Sequence, residues 1–200
     1  MKVSSPEYEK IRKNFRLDVP ERFNFAADVV DRWAEDPSRK AMHWVNDACN
    51  KEQTFTYAQM RDASFRAARL FKRLGLKKGD RVCILAPRIP QWWVAMTAMI
   101  RCGIVPIPGT TQLTAKDIQY RVETSGACAI FADPANAEKV EAIRAKCPTL
   151  DTFLVMDGPY KCWQSFDEEI EKEEAKPVAS DTKSSDPCLI YFTSGTTGFP

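Results

Sequence analysis

Four hydroxyl side chains, Thr193, Ser194, Thr196 and Thr197, fall within five positions, with Gly195 among them and Gly198, Phe199 and Pro200 following. The glycines permit positive φ and let backbone N–H groups approach a ligand closely. Amides and hydroxyls curling away from a strand end suit the oxygens of a polyphosphate. The run is not a Walker A loop, because G-x-x-x-x-G-K-[ST] is absent. A Ser/Thr/Gly surface turn that binds nothing has the same composition, so position must decide between the two readings. The apolar run Cys188–Phe192 reads as a buried strand leading straight into the loop. In open α/β sheets ligands bind at the carboxyl ends of such strands.

Other reactive residue types offer less. The seven cysteines, at 49, 83, 102, 128, 147, 162 and 188, are odd in number and contain no C-x-x-C pair. Cys83, Cys128 and Cys188 lie in or beside apolar runs and read as small buried hydrophobes of a reducing compartment. His43 is the single histidine, which leaves no route to a histidine triad partner set or a multi-histidine metal centre. It sits in the strand-like Ala41–Val45 and reads as structural.

Over the whole chain, 29 Lys+Arg against 27 Asp+Glu give a net charge of +2 in 200 residues. That balance argues against a nucleic-acid binder, which carries a markedly basic face. No apolar run approaches the roughly 18 residues of a membrane span. Met1–Arg16 lacks the apolar core of a secretory signal, and Glu7 and Glu9 count against a transit peptide. The cytoplasm is therefore the expected compartment, with the mitochondrial matrix as the alternative.

The elements that must position the loop alternate in type. Phe23–Ala34 reads as a helix capped by Asn24, and Ala41–Val45 with Gln53–Thr56 as a hairpin about Asn46, Asp47 and Asn50. Tyr57–Leu74 has Met60, Ala63, Ala67, Leu70, Phe71 and Leu74 at helical spacing, with Arg61, Arg66, Arg69, Lys72 and Arg73 between them. Arg81–Ala86 is an apolar strand, Gln91–Cys102 a helix opened by Pro90, Ile104–Ile107 a strand, and Ala115–Thr124 a helix capped by Thr114. Ala127–Ala132 (strand), Ala135–Lys146 (helix) and Thr152–Met156 (strand) follow. The expected fold class is α/β: a mostly parallel sheet flanked by helices, with a short N-terminal β-hairpin. The acidic Asp167–Lys176 reads as a solvated helix leading into a loop, with a contact surface as the other reading.

With these elements in place, Tyr191–Pro200 resembles the AMP-binding signature of adenylate-forming enzymes: acyl- and aryl-CoA synthetases, luciferases and peptide-synthetase adenylation domains. Leu85–Trp93, Pro106–Leu113 and Asp117–Arg121 resemble the medium-chain acyl-CoA synthetases, and the likeness runs from about Tyr8 onward. The resemblance implies a two-step ligase reaction. A fatty acid carboxylate attacks Mg²⁺-ATP to give acyl-AMP and pyrophosphate, and the thiol of coenzyme A then takes the acyl group.

The same resemblance implies that Thr193, Ser194, Gly195, Thr196, Thr197, Gly198, Phe199 and Pro200 hold the ATP phosphates, with Thr193 near the metal-bound oxygens. Gln112 aligns with a coenzyme A contact, and its other reading is a polar residue capping the following helix. Trp92, Trp93, Met96 and Met99 read as core, with an acyl pocket as the alternative. In the family a lysine follows the proline, and adenine, ribose and hinge motifs and a catalytic lysine come later. The expected organisation is an extension over 1–22 and an incomplete AMP-binding domain over 23–200, cut inside the phosphate-binding loop. On that reading the chain is inactive alone and holds no catalytic residue; a non-catalytic remnant with a structural or binding role is the alternative.

Overall fold

A computed structural model describes residues 5–193. Its order of elements follows from period-two burial. In β3 (Arg81–Leu85), Val82 and Ile84 enter one core while Cys83 and Leu85 enter another. β5 (Ala129–Ala132) divides likewise, with Phe131 on the first side and Ile130 on the second. A strand buried on both faces needs helices on both. Those on the first side are α2 (Tyr57–Arg73) and α3 (Pro90–Cys102), with the short α6 (Phe166–Glu171). Those on the second are α4 (Ala115–Ser125) and α5 (Pro134–Glu141). The sheet runs β4-β3-β5-β6-β7, all parallel, with β4 at Val105–Pro108, β6 at Thr152–Val155 and β7 at Gln164–Ser165. β1 (Lys40–Val45) and β2 (Glu52–Thr56) form the separate antiparallel hairpin. The Asn46 side chain holds its turn by accepting from the Asn50 and Lys51 amides.

Local chemistry sets the helix ends. Thr56 and Gln59 form a capping box on α2, and Thr114 and Asp117 one on α4. Asn24 accepts from the Ala26 and Ala27 amides, but the helix it caps is wound as a π-helix over Phe25–Asp31. This segment is tied down by Arg101 of α3, whose side chain is only 1% exposed. The Arg101 guanidinium donates to both oxygens of Asp31, at 2.7 and 2.8 Å, and to Ser64 Oγ. Position 101 falls on the same face of α3 as Val94 and Ala98, so the helical period places a charge among buried residues, and only the partners that satisfy it are not legible in the sequence.

The structure differs from the sequence reading, or adds to it, in three segments. The helix expected over Ala135–Lys146 ends at Glu141 and resumes as one 3₁₀ turn, Arg144–Lys146, which keeps Ile143, Cys147 and Leu150 on the core. The N-terminal stretch holds a helix, α1 (Pro6–Asn14), whose residues are all exposed. It is specified by the Ser5 cap, Pro6, early acids and late bases, and a search for apolar periodicity passes over such a helix. The acidic run is a helix leading into a loop, as expected, but it is solvated only in part: Glu168, Glu171 and Glu174 are exposed while two other acids face α2. Glu169 and Glu173, with side chains 14% and 13% exposed, both meet Arg73 of α2 at 2.7 Å, and Arg69 lies 3.6 Å from Glu173. Arg66, Arg69 and Arg73, placed between the apolar positions of α2, thus meet the acids of α6 and the residues after it.

This clasp carries a pH dependence. Hydrogen bonds from Lys172 and then Arg73 hold the Glu169 carboxyl below its ordinary 4.5. Donation from Trp163 and then Arg144 does the same for Glu141. A carboxyl whose folded-state pKa is lowered stabilises the fold above the unfolded pKa, and that contribution is lost as pH falls through the folded value. The urea midpoint is therefore expected to hold from neutrality to about pH 5 and to drop progressively below about 4.5. Glu169→Gln should flatten that drop in a pH series of urea melts; an unchanged profile would remove the clasp from the explanation.

Candidate functional site

The carboxyl ends of β3, β4 and β6 release three loops toward one place. Ala86–Ile89 follows β3, Gly109–Leu113 follows β4 and Asp157 lies just past β6. With the hairpin they enclose an open cleft of about 1140 Å³, where Arg88, Trp93, Thr110 and Asp157 are exposed and Trp44 and Trp92 half-buried. The hairpin is moored to the first loop by the Trp44 indole, which donates to the Arg88 carbonyl at 2.7 Å. Trp92 and Trp93 meet edge to face with centroids 4.7 Å apart. Gly109 lies so low over the sheet that a Cβ there would stand 2.4 Å from a methyl of Leu85 and 2.8 Å from one of Leu113. A side chain at this position would force either those leucine methyls or the turn itself to shift.

Gln112 lies in that turn, exposed, its amide donating to Thr110 Oγ1 at 3.2 Å. It does not cap the following helix: Thr114 does, accepting from the Asp117 amide, while the Asp117 carboxylate accepts from the Thr114 amide and hydroxyl. Those bonds hold the Asp117 carboxyl below its ordinary 3.8. The Gln112 side chain makes no hydrogen bond among the described residues, so it is left facing outward. Trp92 and Trp93 line the cleft, whereas Met96 and Met99 are core residues beneath α3. The group read as a unit in the sequence is therefore divided.

Cys188–Phe192, expected to be a strand, forms none. It makes one backbone bond to the sheet, from the Ile190 amide to the Pro106 carbonyl. The cause lies in β4. Val105 and Gly109 donate toward β3, so the alternate positions, Pro106 and Pro108, face outward, and proline has no N–H to give. A strand laid there can donate but cannot accept, which is too little for a ladder. The segment is held instead by side chains: Phe192 packs against Tyr120, with centroids 6.1 Å apart, and under the Arg121 guanidinium at 5.1 Å. Cys188 is exposed rather than buried. Thr193 follows, exposed, and Ser194, Gly195, Thr196, Thr197, Gly198, Phe199 and Pro200 lie outside the described residues.

His43 is exposed, on the hairpin, with Nε2 3.1 Å from Glu52 on the neighbouring strand. Cys83 is buried and its thiol is pushed up to about 12, and burial likewise moves Cys102 to about 11, so both are inert near neutrality. Among the described residues no cluster of three or more His, Cys, Asp or Glu could hold a metal ion. The sequence reading missed Trp44, Arg88 and Asp157, which are far apart in the chain. The signal that finds them is topological: each lies on the hairpin or just after a strand of the parallel sheet.

Residues 29–200 match the AMP-binding enzyme family. The human acyl-coenzyme A synthetase ACSM4, mitochondrial, is 42% identical over 202 residues, 97% of this chain and 34% of that protein. The mouse acyl-coenzyme A synthetase ACSM1, mitochondrial, is 39% identical across 92% of this chain and 33% of its own length. Among solved structures, the anthranilate CoA ligase AuaEII in complex with anthranoyl-AMP superposes with a TM-score of 0.80 at 24% identity, over 92% of this chain and 34% of the other. The chain thus spans about a third of the length of these relatives. No helix among the described residues is long and apolar enough to cross a membrane. A match over residues 29–200, joined to a parallel sheet with its cleft at the strand ends, places this chain in the AMP-binding enzyme family.

Proposed function

We propose that the chain is the N-terminal part of a medium-chain acyl-CoA synthetase. That enzyme joins a fatty acid to coenzyme A through an acyl-adenylate, with Mg²⁺-ATP as the nucleotide substrate. The observation that carries this reading is the run Thr193–Pro200, four hydroxyls and two glycines placed directly after a segment laid along the sheet edge. Hydroxyls and amides of Thr193–Gly198 would bind the β- and γ-phosphates and steady the charge that develops on departing pyrophosphate. Gln112, with its side chain directed outward beside the cleft, would contact coenzyme A. The relatives named mitochondrial favour the mitochondrial matrix over the cytoplasm.

Within this reading the 200 residues hold phosphate and thiol substrate but lack the family's adenine, ribose and catalytic-lysine motifs, so they turn nothing over alone. Two measurements on the purified chain test it. ATP–pyrophosphate exchange with octanoate is expected to be no greater than in a protein-free control, and measurable exchange would refute inactivity. Titration with Mg²⁺-ATP is expected to shift the amide resonances of Thr193–Gly198. Unmoved resonances at millimolar nucleotide would overturn the phosphate-loop assignment.

A further inference from the structure

The Gly109–Leu113 turn is anchored from outside. Asp133 caps α5, accepting from the Asn136 amide at 3.2 Å and from its side-chain nitrogen. Asn136 is itself 1% exposed, and its Oδ1 accepts from Lys139 Nζ at 3.0 Å. The same ammonium donates to the Thr111 carbonyl at 2.8 Å. A lysine one turn further along α5 thus reaches back to the residue immediately before Gln112. Its two recorded partners are neutral oxygens, one of them on a buried asparagine, and no carboxylate pairs with it among the described ion pairs. The contact therefore serves geometry: it fixes the Thr111 carbonyl relative to α5. Within the turn the remaining ties are slighter, Gln112 N to Thr110 Oγ1 and Leu113 N to the Thr110 carbonyl, both 3.2 Å.

We propose that Lys139 is a positioning residue for coenzyme A. By latching the Thr111 carbonyl to Asn136, it holds Gln112 in the orientation that meets the thiol substrate. The proposal rests on the reading of Gln112 as a coenzyme A contact. A charge-assisted hydrogen bond is stronger than the neutral bonds of the turn, so its loss frees the turn before it unsettles the helix. The start of the turn is held separately, by the Gly109 amide donating to the Ile84 carbonyl at 3.0 Å, so the latch bears chiefly on Thr111 and Gln112.

The test uses the purified 200-residue chain and two independent readouts. Amide exchange followed by NMR reports the latch without any ligand. Lys139→Met is expected to speed exchange at Gln112 and Leu113 about tenfold, the scale of one lost charge-assisted bond, and Lys139→Arg to restore most of the protection. Titration with coenzyme A then reads the consequence, with affinity expected to fall about five- to tenfold in Lys139→Met and to recover in Lys139→Arg. Unchanged exchange in Lys139→Met overturns the latch whatever coenzyme A does. Faster exchange with unchanged affinity overturns the positioning role. If the wild-type chain does not bind coenzyme A, or Gln112→Ala binds it as tightly as wild type, the underlying reading of Gln112 fails, and the positioning role fails with it. The exchange result in that case still judges the latch.

Discussion

Asp31→Ala is expected to lower the unfolding free energy by about 3 kcal/mol, the lower end for removal of one member of a buried ion pair, because Arg101 is buried while the Asp31 side chain is 28% exposed. Arg101 keeps its place on α3 whether or not Asp31 is present, and at 1% exposure its guanidinium cannot reach water without moving the helix. Ser64 Oγ takes two of its N–H groups and the Phe65 ring lies 4.3 Å beneath it, but both are neutral. Loss of Asp31 therefore strands a cation. For a chain of this size the melting temperature should fall by roughly 6–12 °C. The paired change Asp31→Leu with Arg101→Met should recover much of the loss, because buried ion pairs commonly match well-packed apolar replacements. A urea melt of the single variant decides the point; a loss below about 1 kcal/mol would mean that Arg101 finds solvent or another partner.

Phe71→Ala is expected to cost at least as much, roughly 3–5 kcal/mol, by a different physical route. Phe71 is completely buried where α2 crosses the sheet, 5.2 Å from the Phe131 ring of β5 and 6.4 Å from Phe166 at the start of α6. Truncation leaves a void between three elements, none of which can close it alone: β5 is held by β3 and β6, and α6 by its ion pairs to α2. Phe131→Ala opens the same void from the other wall. The double variant should therefore lose clearly less than the sum of the two singles, since contacting residues are not additive. Equal additivity in thermal or urea unfolding would show that the aromatic contact is not shared.

The sheet and its helices were readable because burial on both faces leaves a plain trace: apolar strands between amphipathic helices, with caps at Thr114 and Asn24 written in single residues. What escaped the reading depends on partners distant in sequence. Arg101 falls by period on the buried face of its helix, but Asp31 and Ser64, which satisfy it, are distant in sequence. Glu169 and Glu173 look solvated until the arginines of α2 face them. Cys188–Phe192 has the composition of a strand, and its failure to pair is decided by the two prolines of its neighbour rather than by its own residues. At the candidate site the phosphate-type loop and Gln112 stood out by motif. The cleft did not, because Trp44, Arg88 and Asp157 converge only through topology. The Lys139 tether was missed for the same reason: a lysine on a helix face carries no mark of the carbonyl it meets.

The outward edge of β4 has a further consequence for how copies of this chain meet one another. An exposed strand is ordinarily a template onto which a second molecule can add its own, growing toward cross-β aggregates. Pro106 and Pro108 turn this border into a row of acceptors alone. Two such borders brought together present carbonyl against carbonyl, so like cannot pair with like. The border can stand at the edge of the sheet without inviting its own kind, and it receives instead a segment that brings an N–H group, as Ile190 does.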